Sequence, residues 1–299
     1  MPKLSIVTTA HNSENFLDDC LKSVAFADEI IVVDNESTDK TVEIAKKHQA
    51  KVFKHHNNPK QLNESKNFGF TKASHEWILS LDPDERVEND LKKEIEYILS
   101  KEDIPLNGYK IPRHNVIFGK VIEHGLWYPD YQLRLFRKGR GKFPDIHNHE
   151  ALEITGDPGV LKGHIQHHNY QTITQYVQKI DKQYSDNEVD TYLDRQGKIY
   201  WYDAIRFPMQ DFLSNYFARQ AYKDGLHGLV LSILQAFYMF IVFAKIWERQ
   251  GFKQEKIELD EANQEFKNIN KQIKYWYLHE QIKDSNLLKR LQLKLKSRI

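Results

Sequence analysis

The sequence predicts an α/β protein: a Rossmann-like sheet flanked by helices over about the first hundred residues, with a helical region from Thr172 onward. Short apolar runs alternate with amphipathic stretches, as when buried parallel strands are joined by crossover helices. Three such runs end abruptly in polar or acidic residues. Past residue 171 the apolar residues recur at helical spacing and culminate in one long run, Gly228 to Ala244.

Taken in order, Leu4 to Thr8 reads as a first strand, followed by the loop Ala10-His11-Asn12-Ser13. Ser13 fits the N-cap of a helix carrying Leu17, Cys20, Leu21 and Val24 on one face. Ile30 to Val33 is a second strand that runs into the polar loop Asp34 to Asp39 and a helix containing Val42 and Ala45. Val52 and Phe53 make a short third strand, and Asn63 to Ala73 an amphipathic helix with Phe68 and Phe70. Trp77 to Leu81 is then a buried strand, and Leu91 to Leu99 a helix. Beyond it, Gly108 to Pro112, Asn115 to Phe118 and Tyr131 to Phe136 read as strands joined by glycine and polar turns.

The Trp77 strand stops at Asp82-Pro83-Asp84-Glu85, because Pro83 cannot donate to a ladder. Ligands of open α/β sheets bind outside the carboxyl ends of strands, so Asp82 and Asp84 suit a hard divalent cation bridging to phosphate. An acidic turn opening a helix is the other reading of the same residues. Gly125 to Asp130 sets Trp127 and Tyr128 beside a carboxylate, which suits carbohydrate or, equally, core packing. Histidines cluster in Ile146-His147-Asn148-His149-Glu150 and Gly163-His164-Ile165-Gln166-His167-His168, where the reading allows at most one metal ligand.

Composition excludes several classes. A net charge of +1 gives no global field for nucleic acid. The single cysteine, Cys20, rules out an intrachain disulfide and fits helix packing in a reducing compartment. Met1 to Val7 lacks a secretory h-region, so the expectation is a cytoplasmic chain. No Gly-x-Gly-x-x-Gly occurs, which argues against a dinucleotide oxidoreductase.

Four segments, in order, resemble the inverting glycosyltransferases of family 2, which have the GT-A fold. Ser5 to Asn12 resembles that family's first strand and base-binding loop, and Val32 to Thr41 its Val-Asp-Asp-Gly-Ser-x-Asp-x-Thr signature. Lys66-Asn67 with Gly69 resembles its basic-Asn segment, and Asp82-Pro83-Asp84 its Asp-x-Asp. Trp127 to Arg137, His149-Glu150, Leu161 to Gly163 and Gly228 to Glu248 are similar to the subgroup with bacterial lipopolysaccharide core β-1,4-glucosyltransferases. Asn35 and Glu36 depart from the signature's Asp and Gly, and His149-Glu150 from the usual acidic pair.

The resemblance implies a GT-A mixed sheet over residues 1–170 and a helical region over 171–299, with an apolar helix at 228–247. It implies single displacement of a nucleoside diphosphate, UDP in the family's common form, by a hydroxyl of a glycan or glycolipid. Thr8, Ala10, Asn12, Asp34, Asn35, Lys66 and Asp82 would hold the donor, and Arg134 could reach phosphate. Asp82, Asp84 and His149 would hold Mg²⁺ or Mn²⁺, with Glu150 as general base and Asp130 as the other candidate.

Lys223, Lys245 and Arg249 flank the apolar helix, and Tyr238 and Trp247 suit an interface, so it reads as lying on the inner face of the cell membrane. A core helix or the seam of a homo-oligomer also fits. The basic tail, with Lys289, Arg290, Lys294, Lys296 and Arg298, suits anionic lipid. Two other functions compete with this reading. A sugar-1-phosphate nucleotidyltransferase would need a Gly-rich, Arg-containing loop where Thr8 to Asn12 stands; an inactive membrane-anchored binding module would not need Asp82, Asp84 and Glu150.

Overall fold

The computed structural model describes residues 2–58, 61–144, 151–181, 185–195, 197–283 and 285. They form two compact units, one of residues up to 116 with 128–169, the other of 117–127 with 170 onward.

The first unit begins β1 (Leu4–Ala10), α1 (Leu17–Ser23), β2 (Glu29–Asp34), α2 (Thr41–Lys47), β3 (Lys51–Lys54) and α3 (Leu62–Lys72). It continues β4 (Trp77–Leu81), β5 (Glu85–Val87), α4 (Asn89–Leu99) and β6 (Gly108–Ile117). Beyond the second unit's β7 (Lys120–Ile122) come β8 (Asp130–Arg137), β9 (Gly141–Lys142), β10 (Glu153–Ile154), β11 (Gly159–Val160) and β12 (Ile165–Tyr170). The sheet runs β3-β2-β1-β4-β8-β6-β12-β5. Its first four strands are parallel, whereas β8 is antiparallel to both β4 and β6, and β12 to β5. This is the mixed GT-A sheet. The order reverses at β1 and β4, so the crevice at their carboxyl ends is the expected ligand position.

Period-two alternation builds a core on both faces. Leu4 and Ile6 of β1 join Trp77, Leu79 and Leu81 of β4 on one side, against Leu91, Ile95 and Ile98 of α4. Val7 and Ile78 point the other way, to Phe70, Phe136 and Phe143. Gly69 explains itself here: a Cβ would stand 2.6 Å from Val7 Cγ1 and 2.9 Å from Val33 Cγ2, so only glycine lets α3 lie this close to the sheet.

Two local expectations are corrected. Ser13 does not cap α1, which starts at Leu17 without a side-chain cap; the Ser13 hydroxyl donates to the His11 carbonyl. Residues 108–117 form one strand rather than two, with Pro112 inside it opposite Tyr131. A proline removes one ladder bond, and a ten-residue strand tolerates that loss.

The second unit contains α5 (Ile173–Lys179), α6 (Ser185–Arg195), α7 (Asp203–Leu213), α8 (Leu226–Arg249) and α9 (Leu259–Lys283). Leu231 of α8 packs with Ile117, Ile122, Tyr170 and Tyr176, and Trp127 lies against this cluster. Val242 and Ile246 pack with Val189 of α6. Leu226, Ile233, Phe237, Phe240 and Trp247 are left exposed at helical spacing along α8. That helix is long and apolar enough to cross a membrane, and only 28% of its apolar window is buried. Its basic flank is partly neutralised, since Lys245 pairs with Asp181 and Asp186, and Arg249 with Asp186 and Asp190.

Candidate active site

The carboxyl ends of β1 and β2 are stitched together by backbone and amide contacts. The Asn35 amide donates to the Ala10 carbonyl at 2.8 Å. Asn12 takes a left-handed φ of 47°, which asparagine tolerates; its amide donates to Ser37 Oγ, and its Oδ1 accepts from the Thr38 amide at 2.8 Å. Asp34, nearly buried, accepts from the Ser37 amide at 3.1 Å. Thr8 of β1 is fully buried, and its Oγ1 has no hydrogen-bond partner among the described residues. Asn35 is 3% exposed, yet its Oδ1 has no hydrogen-bond partner among the described residues. A buried amide oxygen in that state is a free acceptor awaiting a donor.

At the end of β4 the two aspartates differ. Asp82 Oδ1 lies 2.7 Å from Lys66 Nζ of α3, and Oδ2 accepts from Arg134 Nη2 of β8 at 2.7 Å. Burial pushes the Asp82 carboxyl up, but Lys66 and Arg134 overcome this and hold it well below the usual carboxylate range. Asp84 has no such clasp. Its side chain is one-third exposed, and His167 Nε2 of β12 stands 3.6 Å from Oδ2. The ring of His167 is oriented by a relay. Asn115 Nδ2 donates to Asp130 Oδ2 at 3.3 Å, which turns Asn115 Oδ1 toward His167 Nδ1 at 2.7 Å. Nδ1 therefore carries the proton in the neutral ring, and Nε2 presents a lone pair toward the Asp84 carboxylate. In that tautomer two acceptors face each other across 3.6 Å, a spacing at which both can reach one cation.

Behind these groups Arg134 Nη2 also reaches Glu85 Oε1 at 2.7 Å, and Arg113 Nη1 stands 3.3 Å from the same oxygen. Arg113 clasps Asp130 Oδ2 through Nε at 2.8 Å, and Gln132 donates to Asp130 Oδ1 at 2.7 Å. Burial raises the Asp130 carboxyl, and Arg113, Gln132 and Asn115 outweigh it, so its pKa lies below normal. A carboxylate so occupied is a weak proton acceptor. Elsewhere on the sheet Glu88, His114 and His164 bring one ligand atom each within 4.8 Å of one another. The two imidazoles are stacked 3.6 Å apart at 7°, so their lone pairs lie in parallel planes and one ring must turn before both reach a single ion.

The structure thus brings Ala10, Asn12, Asp34, Asn35, Lys66, Asp82 and Asp84 to neighbouring strand ends, with Arg134 beside them. His149 and Glu150 lie outside the described residues, as does the basic tail. The chain just before them is anchored: Asn67 exchanges two 2.9 Å bonds with the backbone of Phe143, and Asn63 donates to the Pro144 carbonyl. Glu85, Arg113, Asn115 and His167 were not assigned by sequence. Alternation along β6 could have placed Arg113 and Asn115 on one face; their partner carboxylate follows only from the β6–β8 register. Cys20 is buried, and burial pushes its thiol up to about 12, so it is inert packing, as expected.

A mixed sheet of this order, with a buried unpartnered amide oxygen and an open Asp at adjoining strand ends, is the arrangement expected of the GT-A fold. Residues 5–153 match the model of glycosyl transferase family 2. The chain is 31% identical to an uncharacterised glycosyltransferase of Rickettsia typhi, over 83% of this chain and 88% of that protein. It is 26% identical to the lipopolysaccharide core biosynthesis glycosyltransferase LpsC of Rhizobium meliloti, over 85% and 96% of the two chains. Staphylococcus aureus TarS 1-349 in complex with UDP-GlcNAc is a structural neighbour, with 14% identity, coverage of 81% and 92%, and a TM-score of 0.45. The protein belongs to glycosyl transferase family 2.

Proposed function

We propose that the protein transfers a sugar, with inversion, from a UDP-sugar to a lipopolysaccharide-core-type acceptor at the inner face of the cell membrane. The observation that carries the catalytic part is the difference between the two aspartates: Asp82 is clasped by Lys66 and Arg134, while Asp84 is open beside His167 Nε2. Asp84 and His167 make a mixed oxygen and nitrogen donor set, which fits Mn²⁺ or Mg²⁺ with diphosphate completing the shell. A divalent cation held there would offset the charge that builds on the departing diphosphate.

The chain's own residues do the rest. Asn35 Oδ1, buried without a partner, suits the imide N–H of uracil, with the loop that Asn12 ties to Ser37 and Thr38 around it. Lys66 and Arg134 supply positive charge for the diphosphate. Glu150 takes the acceptor's proton, because the other candidate, Asp130, is already ion-paired with Arg113. The LpsC relative supports the acceptor class, and the exposed stripe on α8 supports a membrane surface. The test is incubation of purified protein with Mn²⁺, a panel of UDP-sugars and deacylated core oligosaccharide. The expected product carries the β-linkage from an α-linked donor, read by proton coupling constants; transfer with retention, or from no UDP-sugar, would overturn the proposal.

A further inference from the structure

Glu85 is fully buried, and a buried carboxylate persists as an anion only where cations and donors enclose it. Its Oε2 accepts from the Asp82 amide at 2.9 Å, while Oε1 takes Arg134 at 2.7 Å and faces Arg113 at 3.3 Å. The same Nη2 of Arg134 binds Asp82, and Arg113 clasps Asp130. Glu85 is thus the hub joining the Asp-x-Asp to the carboxylate that orients Asn115 and, through it, His167.

We propose that Glu85 is a positioning residue for the transfer reaction: it holds Arg134 and Arg113 in one rigid frame, and so sets Asp82, Asp130 and His167 for a metal-bound diphosphate. This rests on the reading of the donor site given above. A guanidinium is a planar fork with fixed donor directions: Arg113 sets Nη1 toward Glu85 and its Nε–Nη2 edge on Asp130, while Arg134 shares the single Nη2 between Glu85 and Asp82, so moving the Glu85 carboxylate moves both contacts. Charge points the same way. Lys66, Arg113 and Arg134 pair with Asp82, Glu85 and Asp130, which leaves Asp84 as the negative excess that favours a cation, and removing the Glu85 charge cancels that excess.

Calorimetric titration of the full chain with UDP, once in Mn²⁺ and once in EDTA, separates positioning from general stability. In the wild type, Mn²⁺ should tighten UDP binding; absence of that gain would overturn the donor-site reading itself. Glu85→Gln keeps shape and loses charge, and Glu85→Asp keeps charge but is one methylene too short to span both arginines. Both should lose about 10- to 100-fold of the Mn²⁺-dependent gain, as outer-shell changes do, with UDP binding in EDTA unweakened. Should Glu85→Gln fail to fold, Glu85→Asp carries the test alone. A gain within twofold of wild type in Glu85→Asp, or UDP affinity in EDTA falling in parallel, would overturn the inference.

Discussion

Replacing Arg134 by Met tests the electrostatic centre of the first unit. Arg134 is 5% exposed and binds two carboxylates, Asp82 and Glu85, each at 2.7 Å. Met fills similar volume without donors, so the substitution isolates the charge. Removing one partner of a buried ion pair costs about 3–5 kcal/mol, because the other is left uncompensated. Here Lys66 stays on Asp82 and Arg113 near Glu85, which places the cost at the low end, about 3 kcal/mol. At a urea slope of about 2–3 kcal/mol/M, the unfolding midpoint at pH 7 should fall by about 1 M or more. The pH dependence has a definite sign. The Asp82 carboxyl is depressed in the fold, so its contribution is present above the unfolded carboxylate value and lost as pH falls through the folded one. The gap between wild type and Arg134→Met should therefore narrow on acidification below about pH 4. The double variant with Glu85→Gln should lose less than the sum of the two single changes. A pH 7 loss below about 1 kcal/mol would refute the reasoning, placing the guanidinium among weak surface pairs.

Three further expectations follow from particular contacts. Burial raises the Glu29 carboxyl, but Lys51, Ser5 and Ser74 outweigh it and hold the group at about 2, against an ordinary 4.5. Discounted for the exposed Lys51, Glu29→Gln should cost about 2 kcal/mol above pH 4.5, and wild type should lose the same increment as pH falls toward 2, both read by urea titration. Glu150→Gln should lower turnover about a hundred- to ten-thousand-fold with UDP affinity kept, measured by product formation and calorimetry; normal turnover there with failure of Asp130→Asn would exchange the two roles. On α8, Phe237→Ser with Phe240→Ser should reduce co-sedimentation with anionic vesicles in high salt, since an apolar contact resists screening; unchanged binding would move the contact elsewhere.

The parallel half of the fold was legible because Leu4 to Thr8, Ile30 to Val33 and Trp77 to Leu81 are apolar on both faces, and both faces are covered. The strand ends were legible too, since Asp34 to Asp39 and Asp82 to Glu85 follow directly in sequence. What sequence spacing hid was the antiparallel half. Arg113 meets Asp130, and His167 lies opposite Glu85, only through the registers of β6 with β8 and β12 with β5. That pairing is long-range and leaves no local periodicity. The same blindness affected the metal motif, where Asp82 and Asp84 read as equals until Lys66 and Arg134 separated them. Ser13 failed as a cap for a local reason: its hydroxyl turns back to its own loop at His11.

Asp84→Asn gives the most direct test of the division of labour between the two aspartates. The substitution removes a charge at a one-third-exposed side chain, and the Asp84 carbonyl that accepts from the His168 amide at 2.9 Å is untouched, so the fold should persist. UDP binding titrated against Mn²⁺ concentration should show the metal-dependent gain abolished in Asp84→Asn. Turnover should drop by at least about a hundredfold, the scale of losing one electrostatic stabiliser of the transition state. Wild-type Mn²⁺ dependence in that variant, or near-native turnover with EDTA present, would contradict the assignment of Asp84 as the metal ligand.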